Sequence, residues 1–94
     1  MTSPQPPVKY KDPQAFLDYS IDWSAWLPSG DTIVTSTWMA DGGITISMET
    51  NTSTTSTVWI AGGTTNVLHR ATNQITTAAG RINNQSISIA VASR

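Results

Sequence analysis

The sequence predicts an all-β fold, a two-sheet sandwich built from six or seven short strands. Threonine and serine supply 15 and 11 of the 94 residues, and the branched Cβ of threonine favours the half-buried, extended backbone of a strand. Apolar and polar residues alternate in several segments, and turn-forming residues separate these segments at short intervals. No segment carries a convincing helical period, so a sandwich is the fold class that accommodates these strands.

An extended N-terminal arm, residues 1–14, is expected to precede a sandwich domain over residues 15–94. The arm contains four of the five prolines, and such a segment favours an extended, solvated backbone over pairing in a sheet. Two interpretations remain open: a disordered tail without a role, or a strap laid on a partner subunit. The apolar side chains of the arm slightly favour the strap. The arm residues expected to contact a partner are Pro6, Pro7, Val8 and Tyr10.

The first strand is predicted over residues 17–23, where apolar residues alternate with Asp and Ser. Asp12 and Pro13 could instead cap a helix that runs into this segment. A short turn followed by a strand fits the alternation better. The composition of "LPSGD" then predicts a turn, and "TIVTSTWMA" (residues 32–40) predicts a second strand before the "DGG" turn.

The second half of the chain predicts the remaining strands. "GITISMET" alternates with Ile44, Ile46 and Met48 inward, and the hydroxyl-rich "TNTSTTS" then crosses to "TVWIA", a strand closed by two glycines. "NVLHRATNQITT" predicts a longer strand, "AAGRINN" a turn, and "QSISIAVA" the last strand.

The carboxylates Asp18 and Asp22 stand out because they alternate with apolar residues in the first strand. A strand rises about 3.3 Å per residue, so they lie on one face but roughly 13 Å apart. That separation exceeds the spacing of paired glycosidase carboxylates. We interpret both as residues of a half-solvated strand.

No catalytic, metal or cofactor site can be assembled from the sequence. His69 is the only histidine and there is no cysteine, so a metal site would need distant carboxylates that no short spacing supplies. No G-x-S-x-G elbow accompanies the serines, and His69 is interpreted as structural. The two Gly-Gly pairs lack the following lysine of a phosphate loop and predict turns. The chain is therefore predicted not to be an enzyme and to need no cofactor.

Four tryptophans are many for so small a core, since each buries on the order of 200 Å². Trp23 and Trp59 lie in strand patterns that favour burial. Trp26 is adjacent to Leu27 at a turn, where an exposed aromatic would suit a contact surface. In the alternative interpretation, Trp26 closes the end of the core.

Charge and hydropathy exclude several classes of partner. The net charge is -1 with 12% charged residues, and the five basic residues are scattered, so no phosphate-tracking patch for nucleic acid is predicted. No run approaches the roughly 18 apolar residues of a membrane span, and the N-terminus lacks the apolar core of a signal peptide. We expect a soluble protein synthesised in the cytoplasm.

Distinctive short motifs lie along most of the chain, at Asp12, Pro13, Leu17 to Trp23, Gly30 to Ile33, Trp38, Trp59 to Thr64 and Thr72 to Arg81. Together they resemble the pattern of a family of small tailed-phage proteins described as fiber-tail adaptors. The resemblance spans about residues 11–92. The sequence departs from the family pattern at Ile60-Ala61, where Leu-Ser is expected, and at Asn83-Asn84; neither departure removes a functional group.

This resemblance implies an immunoglobulin-like sandwich in the virion, located between the tail tube or nozzle and the tail fibers, without enzymatic activity. Tail components usually follow closed ring symmetry, so multiple copies around the tail are expected. Our hypothesis is that the arm contacts the tail and that the domain presents an edge, or the turn at Trp26 and Leu27, to the fiber. Two other classes remain open from the residues alone. One is a capsid decoration protein, and the other is a carbohydrate-binding module with Trp26 in a stacking platform.

Overall fold

Seven β-strands and no helix make up the part of the chain that the structure describes, residues 8–92 of a computed structural model. The strands are β1 (Val8–Lys11), β2 (Leu17–Asp22), β3 (Ile33–Ala40), β4 (Ile44–Asn51), β5 (Thr55–Gly62), β6 (Leu68–Thr77) and β7 (Ile82–Val91). The predicted all-β fold class is confirmed.

The strands form a four-stranded sheet in the order β1-β7-β6-β3 and a three-stranded sheet in the order β2-β5-β4. All neighbouring strands are antiparallel except β1 and β7, which run parallel. In a constant-type immunoglobulin domain, strands A, B, E and D form one sheet and strands C, F and G form the other. Strands β2 to β7 follow the same division as B to G. Strand β1 differs from strand A, because it joins the sheet that corresponds to C, F and G. The two sheets are consistent with a β-sandwich, and the immunoglobulin-like assignment stays a prediction.

The N-terminal segment differs in part from the expected solvated arm. Val8–Lys11 pairs with the end of β7, and the Lys11 side chain is fully buried. No proline lies between Pro7 and Pro13, so every residue of β1 keeps the amide hydrogen that a sheet uses. β1 is an edge strand of the four-stranded sheet. Residues 1–7 lie outside the described residues.

The core lies between the sheets and is formed by alternate side chains of both. Its buried apolar members are Tyr19, Ile21, Trp23, Ile33, Trp38, Ile44, Val58, Ile60, Ala71, Ile75, Ile87, Ile89 and Val91. The prediction that Trp23 is buried is confirmed, but the prediction for Trp59 is wrong. Val58 and Ile60 are inward, and in a strand the residue between them points to the opposite face. Trp59 is therefore on the outer face of the three-stranded sheet, only partly buried.

Two connections also refine the sequence interpretation. The hydroxyl-rich segment predicted to cross between strands mostly extends β4 and β5, which form a hairpin closed at residues 52–54. There the Thr52 hydroxyl accepts hydrogen bonds from the amides of Thr54 and Thr55.

Ahead of β2, the Asp12 carboxylate accepts a hydrogen bond from the Gln14 amide in a single turn. This confirms the predicted short turn and rules out the alternative helix.

The turns cluster at the two ends of the sandwich. One end, called the tryptophan end here, contains residues 23–32, 52–54 and 78–81, and backbone hydrogen bonds from Trp23 to Thr54 and from Ala78 to Thr32 join these turns. The opposite end, called the histidine end, contains residues 12–16, 41–43 and 63–67.

Candidate functional site

His69 is buried at the histidine end, and both of its ring nitrogens are engaged within the fold. Nε2 accepts a hydrogen bond from the Thr64 amide at 3.1 Å, which places the proton of the neutral ring on Nδ1. Nδ1 then donates to Asp41 Oδ1 at 2.7 Å. A general base needs a free nitrogen facing a substrate, so these contacts agree with the structural role predicted for His69.

The Asp41 carboxylate joins three segments at this end. Oδ1 also accepts from the Gly43 amide at 3.2 Å, and Oδ2 accepts from the Arg70 amide at 2.8 Å. Burial alone would raise the pKa of Asp41. The hydrogen bonds from the Arg70 amide, His69 and the Gly43 amide outweigh burial and hold this pKa below its ordinary value.

Two close approaches tighten the same end. A Cβ added to Gly43 would overlap the His69 ring, so the ring occupies space that only glycine leaves free. The Lys11 ammonium donates to the carbonyl oxygens of Gly62 at 2.6 Å and Asp12 at 2.9 Å. Burial lowers the pKa of Lys11, and the neighbouring Asp12 carboxylate offsets part of this shift. This lysine ties β1 to β5 and is not available as a nucleophile.

The tryptophan end is closed by a different network, centred on Asn73. Trp23 Nε1 donates to Asn73 Oδ1 at 2.9 Å in the buried core. The Asn73 amide group donates in turn to Ser36 Oγ and to the Thr37 carbonyl oxygen, both at 2.9 Å. The buried amide thus connects the end of β2 to β3 and β6.

A second link at the tryptophan end is the ion pair between Arg81 and Asp31, at 3.0 Å. Asp31 Oδ1 also accepts from the amides of Thr32 and Ala79. Burial acts to raise the pKa of Asp31, but hydrogen bonds from Thr77, these amides and Arg81 hold it below its ordinary value. The carboxylate therefore fastens the β2–β3 loop to the β6–β7 turn.

Asp18 and Asp22 both lie on the outer face of the three-stranded sheet, as predicted for solvent-facing residues. Asp22 accepts the Ser24 amide hydrogen bond, and hydrogen bonds from Ser24 lower its pKa. Within residues 8–92 no three His, Cys, Asp or Glu side chains are grouped so that they could hold a metal ion. Nor does this described range contain a helix long and apolar enough to cross a membrane.

The predicted contact residues separate into two places. Val8 and Tyr10 are exposed on the outer face of the four-stranded sheet, Tyr10 to 62%. Trp26 is 39% exposed at the tryptophan end and contacts the Trp23 ring edge-on, with centroids 5.5 Å apart. Leu27 is half-buried against the core, so it supports this turn more than it presents a surface. The predicted Pro6 and Pro7 lie outside the described residues.

Sequence reasoning missed the apolar neighbours of these residues. Tyr10 pairs with Ala90, which pairs with Leu68 across β7 and β6. Leu68 is 61% exposed, and neighbouring strands lie about 4.8 Å apart, so Tyr10 and Leu68 lie in one row. The available signal was the alternation in β6, in which His69 and Ala71 point inward and Leu68 therefore points outward.

A second apolar pair lies on the outer face of the other sheet. The Phe16 and Trp59 rings are 5.0 Å apart and tilted by 33°. Asp18 pairs directly with Trp59 between β2 and β5. The arrangement places a carboxylate beside two aromatic side chains, on a face that the sequence had predicted to be polar.

Comparison with known proteins agrees with these observations. A protein-family model described as podophage GP4 fiber-tail adaptor protein gp77 matches residues 11–90. A search of curated proteins gave no match. The matched segment begins at the buried Lys11 and ends within β7, so it includes both networks that close the sandwich. The resemblance found in the sequence is confirmed, and the chain belongs to the podophage fiber-tail adaptor family Gp77.

Proposed function

We propose that this chain joins the tail tube or nozzle of a tailed phage to its tail fibers through protein–protein contacts, as a structural component of the virion tail. The match to a fiber-tail adaptor family over residues 11–90 carries this proposal. The fold agrees with it, because both ring nitrogens of His69 are bonded within the histidine end of the sandwich.

In this proposal the N-terminal segment and the outer face of β1 contact the tail. Val8 and Tyr10 are exposed on one face of β1. Residues 1–7, which include Pro6 and Pro7, directly precede them in the sequence. A large, rigid aromatic beside aliphatic residues is typical of the centre of a protein interface. The turn at Trp26 and Leu27, at the opposite end, contacts the fiber protein.

The aromatic contacts favour a protein partner over a saccharide. A stacking platform for sugar rings requires an open aromatic face. The Trp26 ring contacts Trp23, and the Trp59 ring contacts Phe16. Part of the surface of each ring is therefore covered by another ring of the same chain.

The tail contact is tested by complementing a phage that lacks this gene. We expect Tyr10→Ser to weaken binding to the tail by about thirtyfold, because truncating an interface anchor costs about 2 kcal/mol. The amount of chain in purified particles should fall accordingly. Ile82→Ser is the matched control, since Ile82 is 64% exposed at the far end of the same sheet. Equal incorporation of the two variants would refute the tail contact. Deleting residues 1–7 leaves β1 intact and tests the preceding segment separately.

The fiber contact has its own readout. Particles carrying Trp26→Ala should retain the chain but lose fiber protein, measured by mass spectrometry of the same particles. Unfolding of the purified variant in urea shows whether the domain is intact. A full complement of fibers on these particles would refute a fiber contact at Trp26.

A further inference from the structure

We infer that copies of this chain bind one another head to tail, the outer face of the three-stranded sheet of one copy against the outer face of the four-stranded sheet of the next. The first surface, called the aromatic face, consists of Phe16, Asp18 and Trp59. The second, called the arginine face, consists of Met39, Leu68 and Arg70. The inference goes beyond the proposed function, because it concerns contacts that the isolated chain makes.

Each of these faces carries a charged side chain that has no bonding partner within residues 8–92. Most charged side chains of residues 8–92 are bonded within the chain, as Lys11, Asp31 and Asp41 are. Within that range the side chains of Asp18 and Arg70 take part in no hydrogen bond or ion pair. The only other charged side chain in this condition is Lys9, at the edge strand β1.

Asp18 and Arg70 cannot pair within one molecule. Asp18 points outward from β2 because Tyr19 is buried beneath it, and Arg70 points outward from β6 because Ala71 is buried. They lie in different sheets, whose outer faces are separated by the whole thickness of the sandwich. Opposite charges on opposite faces can meet only between two copies.

Each charge stands beside large apolar side chains that are exposed. Asp18 pairs across the strands with Trp59, which contacts Phe16. Arg70 is two residues from Leu68, and Met39 on the adjacent strand is also exposed. Aromatic residues, Met and Arg are enriched in interface cores, and a charge is most effective where neighbouring apolar groups exclude water.

A second copy is the occupant that this complementarity favours, because one chain supplies both halves of the contact. Two different surfaces in contact make a heterologous interface, which repeats from copy to copy and closes into a ring when the rotation permits. A ring suits an element that surrounds a tail.

The test is sedimentation equilibrium of the full chain from micromolar to millimolar concentration at low salt, where charge pairs are least screened. We expect the weight-average mass to rise above the 10.1 kDa of the monomer. Asp18→Arg and Arg70→Asp should each weaken association by about tenfold, because each brings like charges together. An equimolar mixture of the two variants should restore it. In alternating copies the introduced arginine of one variant meets the introduced aspartate of the other, and the native pair forms at the next contact.

The apolar part of the interface has a matched pair of variants. Leu68→Ser should weaken association, whereas Ile82→Ser, with a nearly equal exposed side chain on the same sheet face, should not. A wild-type chain that stays monomeric throughout, association that persists in both charge variants, or a mixture that fails to associate would each overturn the inference. Because the particles play no part, these outcomes are independent of the adaptor proposal.

Discussion

The two ends of the sandwich are closed by polar networks of different chemistry. The tryptophan end depends on a neutral amide, Asn73, that accepts from Trp23 inside the core. The histidine end depends on ionisable groups, with Asp41 bonded to His69 and Lys11 bonded to backbone carbonyls. A neutral network keeps its bonds at every pH, whereas an ionisable one depends on protonation. The Asn73 network and the Asp41 network should therefore respond differently to acid, although the tryptophan end also contains the ion pair of Asp31 with Arg81, which protonation of Asp31 would weaken.

The comparison also explains what the family motifs encode. Trp23 and Asn73, like Asp31 and Arg81, are 50 residues apart in the sequence and belong to separate motifs. Their bonds join the beginning of the domain to its last hairpin. The motifs therefore identify the fold, while the exposed Tyr10 and its neighbour Leu68 lie outside them.

The largest loss of stability is expected for a substitution at the tryptophan end. Asn73→Ala removes three hydrogen bonds and leaves the Trp23 indole N–H and the Thr37 carbonyl without these partners. We expect a loss of about 3–4 kcal/mol in the free energy of unfolding, measured in urea by tryptophan fluorescence. Trp23→Phe, which removes only the indole donor and some volume, should cost less. A loss below that of Trp23→Phe would show that the amide is not the centre of the network.

The next largest loss of stability is expected at the histidine end, where two glycine substitutions form a paired test. Gly43→Ala forces the His69 ring out of its position and breaks its bond to Asp41, which we expect to cost about 2–3 kcal/mol. Gly42→Ala adds the same methyl group where no atom lies within 4 Å, and should be close to neutral. Equal unfolding free energies for the two variants would contradict the close approach of Gly43 to His69.

Acid should lower the stability of the fold by protonating one carboxylate at each end. The folded-state pKa values of Asp31 and Asp41 lie below their ordinary value, so each contributes stability that is present above the ordinary aspartate pKa of about 3.9. That contribution is lost as the pH falls through the folded-state pKa, because protonation then favours the unfolded chain. Unfolding free energies measured from neutral to acidic pH should therefore fall in acid. Asp41→Asn should flatten the decline, and an unchanged slope would contradict this assignment.

The smallest effect is expected for the exposed partner in the surface ion pair. Arg81→Ala removes the bond to Asp31, but the guanidinium is half-exposed and solvent-exposed ion pairs contribute little. The Thr32 and Ala79 amides still bond to Asp31. The variant should nevertheless be less stable than Arg70→Ala, which removes no intramolecular ion pair. A thermal midpoint below that of Gly43→Ala would reverse the proposed order.

The strands could be predicted because alternation in β2 and β7 reports directly which side chains face the core. In β4 the prediction that Met48 is inward is wrong, because the strand is irregular between Ser47 and Thr50, and Met48, with a positive φ, is exposed. The outward position of Trp59 was missed because aromatic size was taken to favour burial, although Val58 and Ile60 already filled the inward positions. The pairing of β1 with β7 could not be predicted, since it joins the two termini of the fold. The exposed row through Tyr10 and Leu68 depends on that pairing.

The central claim, a place in the phage tail, is tested most directly by the copy number of this chain in purified particles. Quantitative mass spectrometry against the portal and major capsid proteins supplies that number. The account predicts a ratio near that of the portal protein, as expected for an adaptor arranged around the tail. A ratio near that of the major capsid protein would contradict it and would assign the same sandwich to the capsid as a decoration protein.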